Sequence, residues 1–448
     1  MANEGSGGKL MRPPNIVLVI VCTFVYDHLT PSGYERETTP FLDSLARRGA
    51  YFENAVSASS WTQPTVTSIL TGLTPNVHQM TLYLKTRDVA QRSTTPERLL
   101  SDEIVTLAEC LKNAGYDTFG RINNVQAGHF FNIPQGFDDG ETANGKDTAA
   151  FLRDWEDWLR ARDSCRPFFA LIMTRDPHSI YQPAYETYVR FNRSDGVVAQ
   201  DDYASYPRSL HGEVGKLVSQ GVPEDLQRKY VDLYDGELAD LDAALAGIPG
   251  ILENAGCADD TVLTIIGDHG ERFFKHGKIG HGWHLDEEIV HVPLIMTGPG
   301  VAAGRRIKDV VRSIDVYPTL ADLAGATPPE LLQGRSLRPL MGEKPGELPP
   351  ASAYATFTRG EVTLKMVRSQ SFKLHASGSP FALYDLAHDP DERQNLLATE
   401  TDRARSLHHE LQRWLAQEED LRGRIGEGAT RELTPEVVEQ LRALGYVD

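Results

Sequence analysis

Three stretches of this sequence read as buried strands: residues 16–21, an apolar run without polar alternation, and residues 168–173 and 261–266. A strand with one wet face alternates apolar and polar residues, whereas a strand covered on both faces does not. Such runs commit the chain to a parallel sheet buried between layers of helices. The segments between them carry helical signals. Residues 39–49 have Pro40 near the start, apolar spacing at Phe41, Leu42 and Leu45, and Gly49 as a stop. Residues 106–114 read as a helix ended by Gly115, 117–122 as a strand, and 146–162 and 226–245 as helices. Residues 292–296 add a short strand, and 316–323 a helix stopped by Gly325. This alternation predicts a doubly wound α/β fold.

The pattern changes beyond a Pro- and Gly-rich linker at 328–350. Residues 362–367, 372–375 and 381–384 are short segments between turn signals, which predicts a small antiparallel sheet. Residues 401–421 form an amphipathic helix, and a last helix opens near Pro435. Residues 185–225 are polar and Tyr-rich without clear period, and read as a long insertion over the active face. Residues 1–9 are a polar, Gly-rich lead-in.

With 448 residues there is room for a large core plus an appendage. The formal charge of -18 excludes nucleic acid as the main partner, because no broad basic face can displace counterions. An anionic substrate then needs a local positive site, such as a metal. The four cysteines, Cys22, Cys110, Cys165 and Cys257, form no CxxC pair, so neither a zinc finger nor a disulfide framework is expected. No apolar run approaches the ~18 residues of a membrane span. These features predict no membrane partner and a cytoplasmic location. A homo-oligomer is compatible with them.

Open α/β sheets place their ligands beyond the carboxyl ends of the strands. Cys22, Asn124, His178 and the pair Asp268-His269 all fall there. Thr62 opens a helix-compatible run that ends in Gly72, and His281 lies in a Gly/His-rich loop. An oxygen at a helix start faces backbone N–H groups and the positive dipole end, which favours an anion. Two readings of Thr62 follow: a helix cap, or a nucleophile that needs activation. Asp268 and His269 offer one oxygen and one nitrogen ligand, and a divalent ion there would lower the hydroxyl pKa. His178 and His281 would bind non-bridging oxygens or protonate a leaving group. Asn124 would donate a further hydrogen bond.

The order of these motifs resembles the sulfatase family of the alkaline phosphatase superfamily. The likeness is carried by Pro14-Asn15-Ile16-Val17-Leu18-Val19, Thr38-Thr39-Pro40-Phe41-Leu42, Thr62-Gln63-Pro64 with Leu70-Thr71-Gly72, Asp176-Pro177-His178 with Tyr181, and Asp268-His269-Gly270-Glu271. Val292-Pro293-Leu294-Ile295, Gly334-Arg335-Ser336-Leu337 and Leu383-Tyr384-Asp385-Leu386 continue it. The resemblance implies an alkaline-phosphatase-like α/β fold with a large, mostly parallel central sheet flanked by helices. It implies a catalytic domain over 14–327 and a C-terminal subdomain with a small antiparallel sheet over 328–448. It also implies a metal-dependent hydrolase of small-molecule sulfate, phosphate or phosphonate esters.

Three positions depart from the family pattern. Thr62 and Val66 stand where sulfatases carry the Cys or Ser and the Arg of CxPxR, so no formylglycine is expected and phosphorus esters gain weight. Cys22 stands where the family has an Asp metal ligand. The implied metal set is therefore Cys22, Thr62, Asp268 and His269, around one divalent ion (Mn, Ca, Mg or Zn). A ligating thiolate favours zinc; the other reading of Cys22 is a small buried thiol. Phe24, Val25 and Tyr26 replace a Leu-Arg pair, so a positive charge near the site is expected to be missing. The alternatives to an ester hydrolase are a degenerate binding protein and a phospho-group transferase.

Overall fold

The computed structural model describes residues 12–81 and 97–443, except 144, 146, 163–164, 195, 345, 360–361 and 377–380. The lead-in at 1–9 lies outside the described residues. The first apolar run is β1 (Asn15–Val21), and every residue from Ile16 to Val21 is fully buried. Its side chains divide by parity, as a period of 2 requires. Ile16, Leu18 and Ile20 pack with Val66, Ile69, Leu107 and Leu320 on one face. Val17, Val19 and Val21 pack with Phe151, Trp155, Leu233 and Leu241 on the other. Burying each such side chain is worth about 1.5–3 kcal/mol.

The remaining strands of the large sheet are β2 (Ala50–Val56), β3 (Asp117–Ile122), β4 (Asp139–Thr142), β5 (Phe168–Thr174), β6 (Thr261–Gly267), β7 (His291–Thr297) and β8 (Arg305–Arg312). Their spatial order is β8-β2-β7-β6-β1-β5-β3-β4. β1 pairs in parallel with β5 and β6, so the three apolar runs lie side by side at the centre. Only β7 runs antiparallel to its neighbours. The expected α/β class with a mostly parallel sheet is therefore what the chain adopts. β2 and β8 escape a pattern reading because Glu53 and Asn54 interrupt the first, while charged residues hold the exposed positions of the second.

The insertion at 185–225 is not irregular. It folds into helices Tyr185–Phe191, Gln200–Tyr203 and Tyr206–Leu217. Tyrosines obscure the period because they pack on each other: Tyr188 stacks on Tyr203 at 4.7 Å and contacts Tyr206 at 5.6 Å.

The small sheet has four antiparallel strands, Ala353–Arg359, Val362–Arg368, Phe372–His375 and Ala382–Asp385. Helix Thr401–Gly423 covers it, packing Leu407 and Leu411 on Val367, Leu374 and Leu383. No helix among the described residues is long and apolar enough to cross a membrane.

Candidate active site

The carboxyl ends of β1 and β6 are tied together by backbone bonds. Asp268 N–H donates to Val21 O at 3.0 Å, and Cys22 N–H donates across to Thr174 O at 3.2 Å. The chain then turns sharply at Thr23, whose φ of 51° lies in the left-handed region. Thr23 N–H and His269 N–H both donate to Asp268 Oδ1, at 3.2 and 2.6 Å. These bonds fix the carboxylate and leave Asp268 Oδ2 buried with no hydrogen-bond partner. Gly270 follows because its backbone lies directly against the Glu288 carbonyl, where a Cβ has no room.

The turn at Thr23 is held from below by the long helix Glu224–Leu245. Tyr234 Oη accepts from Val25 N–H at 3.0 Å and donates to Thr23 O at 2.8 Å. Tyr234→Phe leaves both buried backbone groups unpaired. It is expected to destabilise the fold by about 1–3 kcal/mol, read as a fall in the chemical-denaturation midpoint at unchanged slope.

Thr62 is the first residue of helix Thr62–Thr71, which is buried all round and ends at Gly72 with φ of 66°. Its side chain caps nothing. Thr62 Oγ1 instead lies 3.4 Å from His269 Nε2 and 3.6 Å from Cys22 Sγ. His269 Nδ1 donates to Gly270 O at 2.8 Å, which leaves the Nε2 lone pair facing Thr62. Asp268 Oδ2 is 3.6 Å from that same nitrogen. One ligand atom each from Cys22, Asp268 and His269 all lie within 4.8 Å of one another.

Burial sets the protonation of this cluster. Asp268 has its pKa raised to about 7 by desolvation, against backbone hydrogen bonds from His269 and Thr23 that pull it down. Burial pushes the Cys22 thiol well up, with the Asp268 charge adding to it. Burial holds His269 well below the ordinary histidine range, and the neighbouring His281 lowers it further. A buried carboxyl with an unbonded oxygen beside a neutral imidazole and a hydroxyl is a donor set that fits a divalent cation.

His178 and His281 complete the rim. The His281 ring lies 4.4 Å from His269 and 5.2 Å from His178. His281 Nδ1 is 3.1 Å from Glu271 Oε2, to which Tyr181 Oη donates at 3.3 Å. His178 Nδ1 donates to Ser179 O at 2.8 Å, and burial keeps its pKa well below the ordinary value. The structure thus brings Cys22, Thr62, His178, Asp268, His269 and His281 together. Asn124 stands at the end of β3, where its Oδ1 accepts from Gln126 N–H at 3.0 Å, capping a short turn without using its amide N–H groups.

The expectation that positive charge is missing is corrected by Arg175. It follows β5 directly after Thr174, the register partner of Val21, and its charge reaches Cys22 and His178. Its position directly before the Asp-Pro-His motif and after a buried strand was the available signal. The insertion also reaches the wall of the site. His211 Nδ1 lies 2.9 Å from Tyr230 Oη, and Tyr230 packs edge-on against Tyr181 at 5.1 Å.

A second group of donors, Asp286, His375 and Glu392, also lies within 4.8 Å. Cations of the protein already fill it: Arg272 pairs with Asp286, and Lys373 Nζ lies 3.0 Å from Glu392 Oε1. His375 Nε2 lies at 3.0 Å from the same oxygen. This group joins the small sheet to the large one and fits no further metal.

A family model described as sulfatase matches residues 14–326, and one described as N-sulphoglucosamine sulphohydrolase, C-terminal, matches 276–420. The chain is 24% identical to arylsulfatase K of dog, over 88% of this chain and 81% of that one. It is 24% identical to a Delta 4,5-hexuronate-2-O-sulfatase of Bacteroides thetaiotaomicron, over 88% of this chain and 86% of that one. The solved phosphonate monoester hydrolase of Agrobacterium radiobacter superposes with a TM-score of 0.72 at 21% identity, covering 90% of this chain and 96% of that one. These relatives correct the expected cytoplasmic location. That expectation rested on unpaired thiols and the lack of a long apolar run. The likeness to arylsulfatase K along most of the chain turns it away from a cytoplasmic assignment. With the sulfatase model spanning most of its length, and the site on the strand ends beneath Thr62, the chain belongs to the sulfatase family as a sulfatase-like ester hydrolase.

Proposed function

We propose that the chain hydrolyses a small anionic sulfate, phosphate or phosphonate ester with Thr62 as nucleophile, in a site that holds one divalent ion. The observation that carries this reading is Asp268 Oδ2, buried without a hydrogen-bond partner, beside the His269 Nε2 that faces Thr62 Oγ1. Asp268, His269 and Thr62 would hold the ion, with Cys22 as a fourth ligand. A bound divalent ion would supply a lowered Thr62 pKa and charge to offset the ester anion.

The chain's own groups do the rest. Thr62 gives up its hydroxyl proton to solvent, and its Oγ1 attacks the sulfur or phosphorus, forming one O–S or O–P bond as the bond to the leaving oxygen breaks. His281 protonates that oxygen, with Glu271 at 3.1 Å fixing its ring. His178, whose Nδ1–H is held by Ser179 O, takes up a proton at Nε2 as the ester anion binds and donates it to a non-bridging oxygen from the opposite rim. Water then hydrolyses the Thr62 ester and regenerates the hydroxyl. No formylglycine takes part, because residue 62 is Thr. We assign the catalytic domain to residues 14–327 and the C-terminal subdomain to 328–448; the small sheet and its covering helix support that division.

Metal analysis of the purified chain tests this reading. Wild type is expected to bind one equivalent of divalent ion and to favour zinc, since zinc binding displaces the thiol proton of Cys22. Cys22→Asp adds a hard, charged ligand, so calcium, magnesium or manganese should bind at least about tenfold more tightly. If neither protein binds a divalent ion, the metal-activated reading is wrong.

A further inference from the structure

Arg175 enters none of the steps above, yet it stands among the reacting groups. Its backbone directly follows Thr174, the register partner of Val21 and the acceptor of Cys22 N–H. One guanidinium nitrogen lies 3.5 Å from Ser179 O, the carbonyl that also accepts from His178 Nδ1 at 2.8 Å. The guanidinium therefore lies beside the His178 imidazole. Its Nε is buried and has no hydrogen-bond partner. Among the described residues no carboxylate forms an ion pair with it within 4.0 Å, although its field also reaches Asp176 and Glu237 and opposes the rise that burial causes in the pKa of both. Its field reaches both rims: it opposes the rise of the Cys22 thiol pKa, which burial and Asp268 cause, and it adds to the fall of His178, which burial dominates.

We propose that Arg175 binds the ester's anionic group beside His178, and that its charge makes the site favour a doubly charged phosphoryl ester over a singly charged sulfuryl ester. The inference rests on the ester site proposed above. Coulomb attraction scales with the product of the charges, so one added cation favours a dianion over a monoanion of the same shape. A guanidinium is also suited to two oxygens of one tetrahedral group. The strong negative charge of the whole chain makes a cation at the strand ends without a close ion-pair partner the more telling.

The test is calorimetric binding of phenyl phosphate and phenyl sulfate to the full-length Thr62→Ala protein with divalent ion present. At pH 8 phenyl phosphate is expected to bind at least about tenfold more tightly than phenyl sulfate. The preference should shrink at pH 5, below the second phosphate pKa of about 6. Arg175→Met should cut the pH 8 preference at least about fivefold, and Arg175→Lys should keep most of it. Equal affinities at pH 8, or a preference unchanged in a folded Arg175→Met protein, would overturn the proposal. Should Arg175→Met not fold, the pH arm and Arg175→Lys still decide. Turnover retained by Thr62→Ala would sink the nucleophile assignment and leave this binding ratio to be judged separately.

Discussion

Thr62→Ala is expected to lower kcat by about a thousandfold or more while the protein stays folded. The loss follows from the role: removing a nucleophile removes the bond-forming atom, not one contact among several. The survival of the fold follows from the local structure. Thr62 caps no backbone group, and its hydroxyl touches only His269 and Cys22. Alanine is also the best helix former, so the substitution costs the helix nothing in propensity. Thr62→Ser keeps the hydroxyl and is expected to retain a measurable fraction of activity. Turnover of nitrophenyl sulfate, phosphate and phosphonate, alongside thermal melts of each variant, checks both halves. Full activity in Thr62→Ala would remove the residue from the reaction.

Asp268→Asn is expected to separate stability from function. The Asp268 pKa is about 7 in the metal-free fold, against about 3.9 for a free side chain. The native state therefore binds this proton more tightly than the unfolded chain. The stability tied to it is fully present below about pH 4 and is lost as the pH rises toward 7. The difference corresponds to about 4 kcal/mol at pH 8, at about 1.4 kcal/mol per tenfold. Asparagine carries no charge to bury, so metal-free Asp268→Asn should be the more stable protein at pH 8 and no more stable at pH 4. Divalent ion should reverse the order, raising the melting temperature of wild type by binding the native state and leaving the variant unmoved. A variant that melts lower than metal-free wild type at pH 8 would show that the carboxylate is not strained by burial.

The fold was legible wherever one physical rule dominated. The runs at 16–21, 168–173 and 261–266 announce central strands because both faces are buried, and they are the adjacent β1, β5 and β6. β8 was hidden because Arg305 to Arg312 reads as a charged surface, its register being set by β2 rather than by its own pattern. The helices of 185–225 were hidden because tyrosines pack among themselves instead of marking one apolar stripe. In the site, strand-end placement pointed to Cys22, His178, Asp268 and His269, which the structure brings close together. It could not tell that Asn124 Oδ1 accepts from Gln126 N–H as a cap, a bond that does not use the amide N–H groups expected to donate, because side-chain direction is a tertiary outcome. It missed Arg175 for the converse reason: a replacement charge was sought on the segment after β1, whereas the structure brings one from the neighbouring strand.

The central claim is that the transferred group passes through Thr62. Rapid quenching of the metal-loaded protein during turnover of a nitrophenyl ester, followed by peptide mass spectrometry, tests it most directly. One sulfuryl or phosphoryl group on Thr62 is the result predicted here, absent from Thr62→Ala. Full-rate turnover with the group carried on another residue, or accumulating nowhere while Thr62→Ala remains active, would contradict it.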